Sequence, residues 1–241
     1  SLASIKDFNE ASLISNYDFD IIDIKNINDG ALGYAGDKEI KLIANKLNIK
    51  SLSVTAGNDT HPNIDVIYQR AKFLNSLCIG YIKIGIFDID HLEMHSIFLK
   101  KISHLNIKTV GVLFADNNLN IQDIKNLCKL SYNGLMIDTI TKSSISTFDI
   151  CNSDLIYSFI SECHVANKFC GLSGSIKHKD IENAMRFKSD FIGFRGALCS
   201  SQTRDNIEPT QCQNILSTIR NINQKMYQAV SYTHLTLPTS V

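Results

Sequence analysis

The stretch YIKIGIFDIDHLEMHSIFLKKISHLNIKTVGVLF, residues 81–114, decides the fold. Residues 81–85 form a short apolar run, residues 92–105 have the spacing of an amphipathic helix, and residues 109–114 form a second apolar run. Short near-continuous apolar runs read as strands buried on both faces, joined by a helical crossover. The alternation extends in both directions. Further runs lie at 2–4, 19–25, 51–55, 134–138, 169–172 and 191–194, and further helical stretches at 66–77, 121–130, 153–166, 181–188 and 212–226. Asp7, Pro62 and Pro209 carry helix-start chemistry. Eight strand-then-helix units in 241 residues predict a single α/β domain over residues 1–228, a TIM or (β/α)8 barrel. A doubly wound open sheet is the alternative, but no G-x-G-x-x-G follows the first run. That run is expected to be a truncated first strand, leaving an incomplete barrel seam. Residues 229–241, AVSYTHLTLPTSV, break the pattern and are expected to be a non-native-looking, disordered tail without function.

Composition narrows the function. Lys and Arg total 24, as do Asp and Glu, so a broad electrostatic grip on nucleic acid or an acidic membrane is not expected. A local cationic pocket for a small anion stays open. The seven cysteines are odd in number and include no C-x-x-C pair. They read as reduced thiols, mostly small core hydrophobes, in a cytoplasmic protein. No signal peptide opens the sequence and no apolar run is long enough to span a bilayer.

In a barrel, chemistry gathers at the carboxyl ends of the strands. The second run, DFDIIDIKN, ends with Asp23 and Lys25 two apart and hence on one face. The fourth places Lys83 in YIKIG, and the sixth ends in Asp138 with Lys142 in the following loop. Strands two, four and six are alternate staves whose inward side chains share layers, so Lys25, Lys83 and Asp138 are expected to meet at the mouth, with Lys142 reaching over. A lone lysine at a strand end is ordinarily a solvated edge residue. Two interior lysines with two carboxylates are costly to bury unless paired or functional. A free lysine has a pKa of ~10.4, and burial beside other cations favours its neutral, nucleophilic form. A neutral amine can attack a carbonyl and form a Schiff base, an electron sink for carbon–carbon chemistry.

The seventh run leads into GLSGS and the eighth into GFRGA. Loops after these strands are the usual phosphate site of a barrel, so Gly171, Ser173, Gly174, Ser175, Gly193, Arg195, Gly196 and Ala197 are the phosphate-binding candidates. Arg195 is expected to add a bidentate contact. Other candidates carry less. His91 and His95 in HLEMH lack the H-E-x-x-H order and read as solvated helix positions. Cys199 follows the eighth strand without an evident base. Lys177, His178 and Lys179 read as a solvated helix start.

The segments DIIDIKNINDGALG, YIKIG, MIDTITK, GLSGS and IGFRGALC resemble the signature segments of the (5-formylfuran-3-yl)methyl phosphate synthase family of methanofuran biosynthesis. The resemblance runs in order from about residue 2 to about residue 209. It implies a TIM barrel that condenses two glyceraldehyde 3-phosphate molecules with loss of phosphate and water, a carbon–oxygen lyase. It assigns the Schiff base to Lys25, an acid/base role to Lys83, and supporting catalytic roles to Asp23, Asp138 and Lys142. The loop after Lys142 reads SSIST where the family pattern more often has Asp-Gly. The expected partner is a phosphorylated triose, with no cofactor, no metal, no nucleic acid and no membrane; a homo-oligomer is compatible with the sequence. Another class I aldolase of phosphorylated aldehydes and a non-catalytic phospho-ligand-binding barrel remain the alternatives.

Overall fold

A computed structural model describes residues 1–47, 49, 51–141, 145–200 and 205–234. In chain order they form β1 (Leu2–Ile5), α1 (Phe8–Ile14), β2 (Ile21–Ile24), α2 (Asp37–Lys46), β3 (Leu52–Thr55), α3 (Ile64–Ser76), β4 (Tyr81–Gly85), α4 (Leu92–Ile102) and β5 (Lys108–Phe114). There follow α5 (Ile121–Cys128), β6 (Gly134–Asp138), α6 (Thr147–Ile150), α7 (Ser153–Val165), β7 (Phe169–Leu172), α8 (Ile181–Arg186), β8 (Phe191–Phe194) and α9 (Pro209–His234). The eight strands close in sequence order into one parallel barrel, the (β/α)8 architecture that the alternation predicts.

Local chemistry sets the helix starts. Asp7 caps α1 by accepting the Glu10 N–H at 2.9 Å. Asn63 caps α3 by accepting the Val66 N–H, so Pro62 stands just outside that helix. Pro209 is the first residue of α9.

Two expectations are corrected. The seam is complete: β1 has four residues and pairs with β2 on one side and with β8 through Leu2↔Gly193 and Ala3↔Phe194 on the other. Residues 229–234 continue α9 rather than breaking from it, and 235–241 lie outside the described residues.

Two apolar bodies stabilise the fold. The larger fills the space between strands and helices, with Ile5, Ile24, Val54, Ile82, Leu135 and Leu172 facing outward from the barrel. The smaller fills the barrel itself: Leu2, Val110, Val112, Phe114, Met136 and Phe191, with Ile21, Tyr81, Phe87 and Phe169 packed on it. Each fully buried side chain of this size contributes ~1.5–3 kcal/mol. Glycines make room for the rings. A Cβ on Gly134 would strike the Phe169 ring, and one on Gly171 the Phe191 ring. The apolar layers occupy the amino-terminal and middle parts of the barrel; polar residues occupy the carboxyl end.

Candidate active site

That polar end is built from alternating strand positions. Asp23 and Lys25 share the inner face of β2 and its extension, two residues above Ile21 and four above it. Asp23 is fully buried. Its carboxylate accepts from Lys83 Nζ at 2.5 Å, from Ser53 Oγ at 2.8 Å and from Ser4 Oγ at 3.1 Å. The register explains this grip, because Ser4 and Ser53 are the Cα partners of Asp23 on β1 and β3. Lys83, one register step higher beside Thr55, reaches down across β3 to the carboxylate. A buried ion pair persists where further hydrogen bonds satisfy it, and two serine hydroxyls supply them.

Above this pair opens a small pocket, with a cavity of about 20 Å³. Its wall includes Lys25, Lys83, Asp138, Ser173, Gly174, Ser175, Gly193, Arg195 and Gly196, with Ser4 at its floor. Lys25 is 5% exposed, Lys83 3% and Asp138 5%, so the sequence-derived trio is brought together and buried. Asp138 ends β6 and accepts the Thr139 N–H at 2.7 Å. The following turn is held by Asp116, whose carboxylate accepts the N–H groups of Ile140 and Thr141 at 2.8 Å each. Lys142 lies outside the described residues.

The phosphate candidates divide. Gly174 has φ +96°, and a Cβ there would meet Thr147 and Thr139, so only glycine turns the chain here. Ser175 follows at φ +51°. Ser173 Oγ is buried without a hydrogen-bond partner among the described residues, on the pocket wall. Gly193 and Gly196 also line the pocket; Ala197 does not. Gly171 lies within β7, paired with Met136 and Phe191, below the pocket. There it leaves room for the Phe191 ring.

Arg195 departs from its expected contact. Its guanidinium is buried against the Glu10 carboxylate of α1, donating from both terminal nitrogens, and also to the carbonyls of Ser4 at 3.3 Å and Asp205 at 3.2 Å. A guanidinium so occupied by a carboxylate is a structural tie. The sequence carried no signal for it, since Glu10 stands far away in the chain and a first-turn glutamate reads as dipole compensation. Ser4 and Ser53 were likewise missed; a small polar residue in register with Asp23 is the signal that finds them.

The lesser candidates also resolve. His95 is 1% exposed, not solvated: its Nδ1 meets Tyr132 Oη at 2.7 Å. Burial, reinforced by nearby His91, lowers its pKa from 6.5 to about 4. Cys199 is buried and donates to the Arg195 carbonyl, off the pocket wall. Lys177, His178 and Lys179 are exposed at a 3-10 turn.

A closed parallel barrel with two lysines and a carboxylate buried at its carboxyl end is a (β/α)8-barrel enzyme scaffold. Solved barrels agree on the fold: 3-hexulose-6-phosphate synthase from Salmonella typhimurium aligns with TM-score 0.61 at 12% identity, covering 92% of this chain and 98% of that one. Phosphoribosyl anthranilate isomerase from Thermus thermophilus aligns with TM-score 0.62 at 6% identity, covering 92% and 98%. The family model described as 4-HFC-P synthase matches residues 1–216, and the chain belongs to that family. Among its relatives, a putative (5-formylfuran-3-yl)methyl phosphate synthase of Methylorubrum extorquens is 26% identical over 84% of each chain. The (5-formylfuran-3-yl)methyl phosphate synthase of Methanocaldococcus jannaschii is 26% identical over 78% of this chain and 84% of its own. Among the described residues, no helix is long and apolar enough to cross a membrane.

Proposed function

We propose that this barrel condenses two molecules of glyceraldehyde 3-phosphate into a furan aldehyde phosphate through a Schiff base on Lys25. The observation that carries the reading is the shared burial of Lys25, Lys83 and Asp138 around one pocket whose wall holds the Ser173 hydroxyl, unpartnered among the described residues. The Lys25 amine attacks the carbonyl carbon of a triose phosphate and water leaves. The protonated imine then accepts the electron pair released when the neighbouring carbon loses a proton. The resulting carbon nucleophile attacks the second aldehyde. Lys83, held by Asp23, and Asp138 are the groups placed to exchange protons with these intermediates. Lys142 joins them on the strength of the sequence resemblance. Two trioses minus one phosphoric acid and two waters balance the product, so elimination and ring closure follow bond formation. Ser173 and the Gly174–Ser175 turn, with Gly193 and Gly196, hold the phosphate; Arg195 supports this wall by anchoring it to α1. Buried free thiols at Cys151, Cys163, Cys170, Cys199 and Cys212 fit a reducing, cytoplasmic setting.

Borohydride added with glyceraldehyde 3-phosphate tests the covalent step. A mass adduct on the Lys25 peptide, lost in Lys25→Ala together with furan absorbance and phosphate release, is the expected result. Trapping at a different lysine overturns the assignment. A simple aldol product assigns the pocket to another class I aldolase, and binding without turnover to a ligand sensor.

A further inference from the structure

A second cluster of chemically competent side chains lies at the opposite, amino-terminal end of the barrel, remote from the pocket. His164 sits in the last turn of α7, Cys170 is the second residue of β7, and Asp190 immediately precedes β8. His164 Nε2 is 3.1 Å from Asp190 Oδ2 and 3.5 Å from Cys170 Sγ, and the three atoms lie within 4.8 Å of one another.

The N–O and N–S separations lie close to two edges of a tetrahedral coordination shell. Bond lengths of about 2.0–2.1 Å to nitrogen, about 2.0–2.2 Å to oxygen and about 2.3 Å to sulfur, set at tetrahedral angles, give edges of about 3.3 Å between N and O and about 3.5 Å between N and S. The backbone preorganises the carboxylate. The Cys170 N–H donates to Asp190 Oδ2 at 2.7 Å, while the Asp190 N–H donates to the Cys170 carbonyl at 2.9 Å. Such outer hydrogen bonds orient a ligating carboxylate. The side chains of His164 and Asp190 are 47% and 45% exposed, which opens an entry path and leaves a fourth position facing water. Cys170 is buried beneath them and closes the site from the protein side.

We propose that His164, Cys170 and Asp190 form a binding site for a borderline-soft divalent cation of the Zn²⁺ class, with water as the fourth ligand. The donor set of imidazole, thiolate and carboxylate suits that class and not Mg²⁺ or Ca²⁺, which take oxygen shells. Binding replaces the thiol proton of Cys170, which leaves to solvent, and uses the neutral imidazole of His164 through Nε2. The cation then joins α7, β7 and the start of β8. It stabilises the barrel and takes no part in the chemistry at the mouth.

Cobalt substitution of the whole chain, after treatment with a chelator, reads the site directly. One equivalent of Co²⁺ is expected to give the visible absorption of a four-coordinate ion and a near-ultraviolet thiolate-to-cobalt band, both removed by Zn²⁺. Zn²⁺ at a hundredfold excess over its Kd is expected to raise Tm by about 5–10 °C. His164→Ala, at an exposed position, is expected to weaken Co²⁺ binding at least about tenfold. Cys170→Ala is expected to abolish the thiolate band, whereas Cys163→Ala, at the neighbouring thiol, is expected to keep it. Absence of the thiolate band in the native chain overturns the site. So does a band that survives both His164→Ala and Cys170→Ala, or one lost in Cys163→Ala.

Discussion

Asp23→Asn isolates one charge. Asparagine keeps the shape; its carbonyl oxygen accepts from one serine hydroxyl and its amide N–H donates to the other, so the main loss is the counter-ion of Lys83. Lys83 is 3% exposed and its ammonium lies 2.5 Å from the Asp23 carboxylate, which is itself fully buried. Little water reaches Lys83 at such a depth to take over the lost interaction. Removing one partner of a buried pair costs ~3–5 kcal/mol, against ~0–1 kcal/mol for a surface pair. At ~2–4 °C per kcal/mol for a domain of this size, Tm falls by about 6–20 °C. Asp23→Asn/Lys83→Met removes both charges and fills the same space, and recovers most of the loss. Urea unfolding followed by circular dichroism measures all three proteins under one condition. The recovered double variant is expected to remain without turnover, because the group that exchanges protons is gone. A single variant within about 0.5 kcal/mol of the native chain refutes the claim that the pair is sealed from solvent. A double variant less stable than the single one refutes the charge argument itself.

Acid is expected to weaken the fold through His95. Its folded pKa, about 4, lies below the unfolded 6.5, so the unfolded chain binds more protons between those values. The contribution is intact above 6.5 and is lost as pH falls through the window towards 4. Between about pH 7.5 and about pH 5 the loss is ~2 kcal/mol, and His95→Gln is expected to remove that part of the slope; equal slopes in urea titrations of the two proteins would rule it out. Gly171→Ala drives a methyl group into the Phe191 ring and is expected to cost ~1–3 kcal/mol of stability with substrate affinity unchanged. A loss of triose phosphate affinity at native Tm would return Gly171 to the phosphate site.

The legible parts of this fold are those where one residue contradicts its surroundings. Lys25, Lys83 and Asp138 stood out because charge inside an apolar run is expensive, and the run itself said which way they face. Ser4 and Ser53 did not stand out. Serine is unremarkable in any strand, and only cross-strand register places these two on either side of Asp23. The pairing of Arg195 with Glu10 went unforeseen for a similar reason, since the loop motif GFRGA gives no view of Glu10. Gly171 shows a different limit: glycine before a turn and glycine beneath a ring are the same letter. His95 looked solvated because i, i+4 spacing with His91 says nothing of the Tyr132 hydroxyl that receives it from another element. The strand rhythm survived because it depends on burial on both faces, which local sequence records.

The tie between Arg195 and Glu10 spans 185 positions, and it lies beside the β1–β8 ladder, which has only two registered pairs. Ring closure therefore waits for β8. While β8 is still unsynthesised, α1 carries a carboxylate facing an unfilled interior, and β1 presents an open strand edge of the kind that invites pairing with other chains. Contacts of such sequence separation form late and slow folding. Nascent copies of this protein consequently pass through a stage in which β1 and α1 wait for β8, and shielding during synthesis matters most at β1.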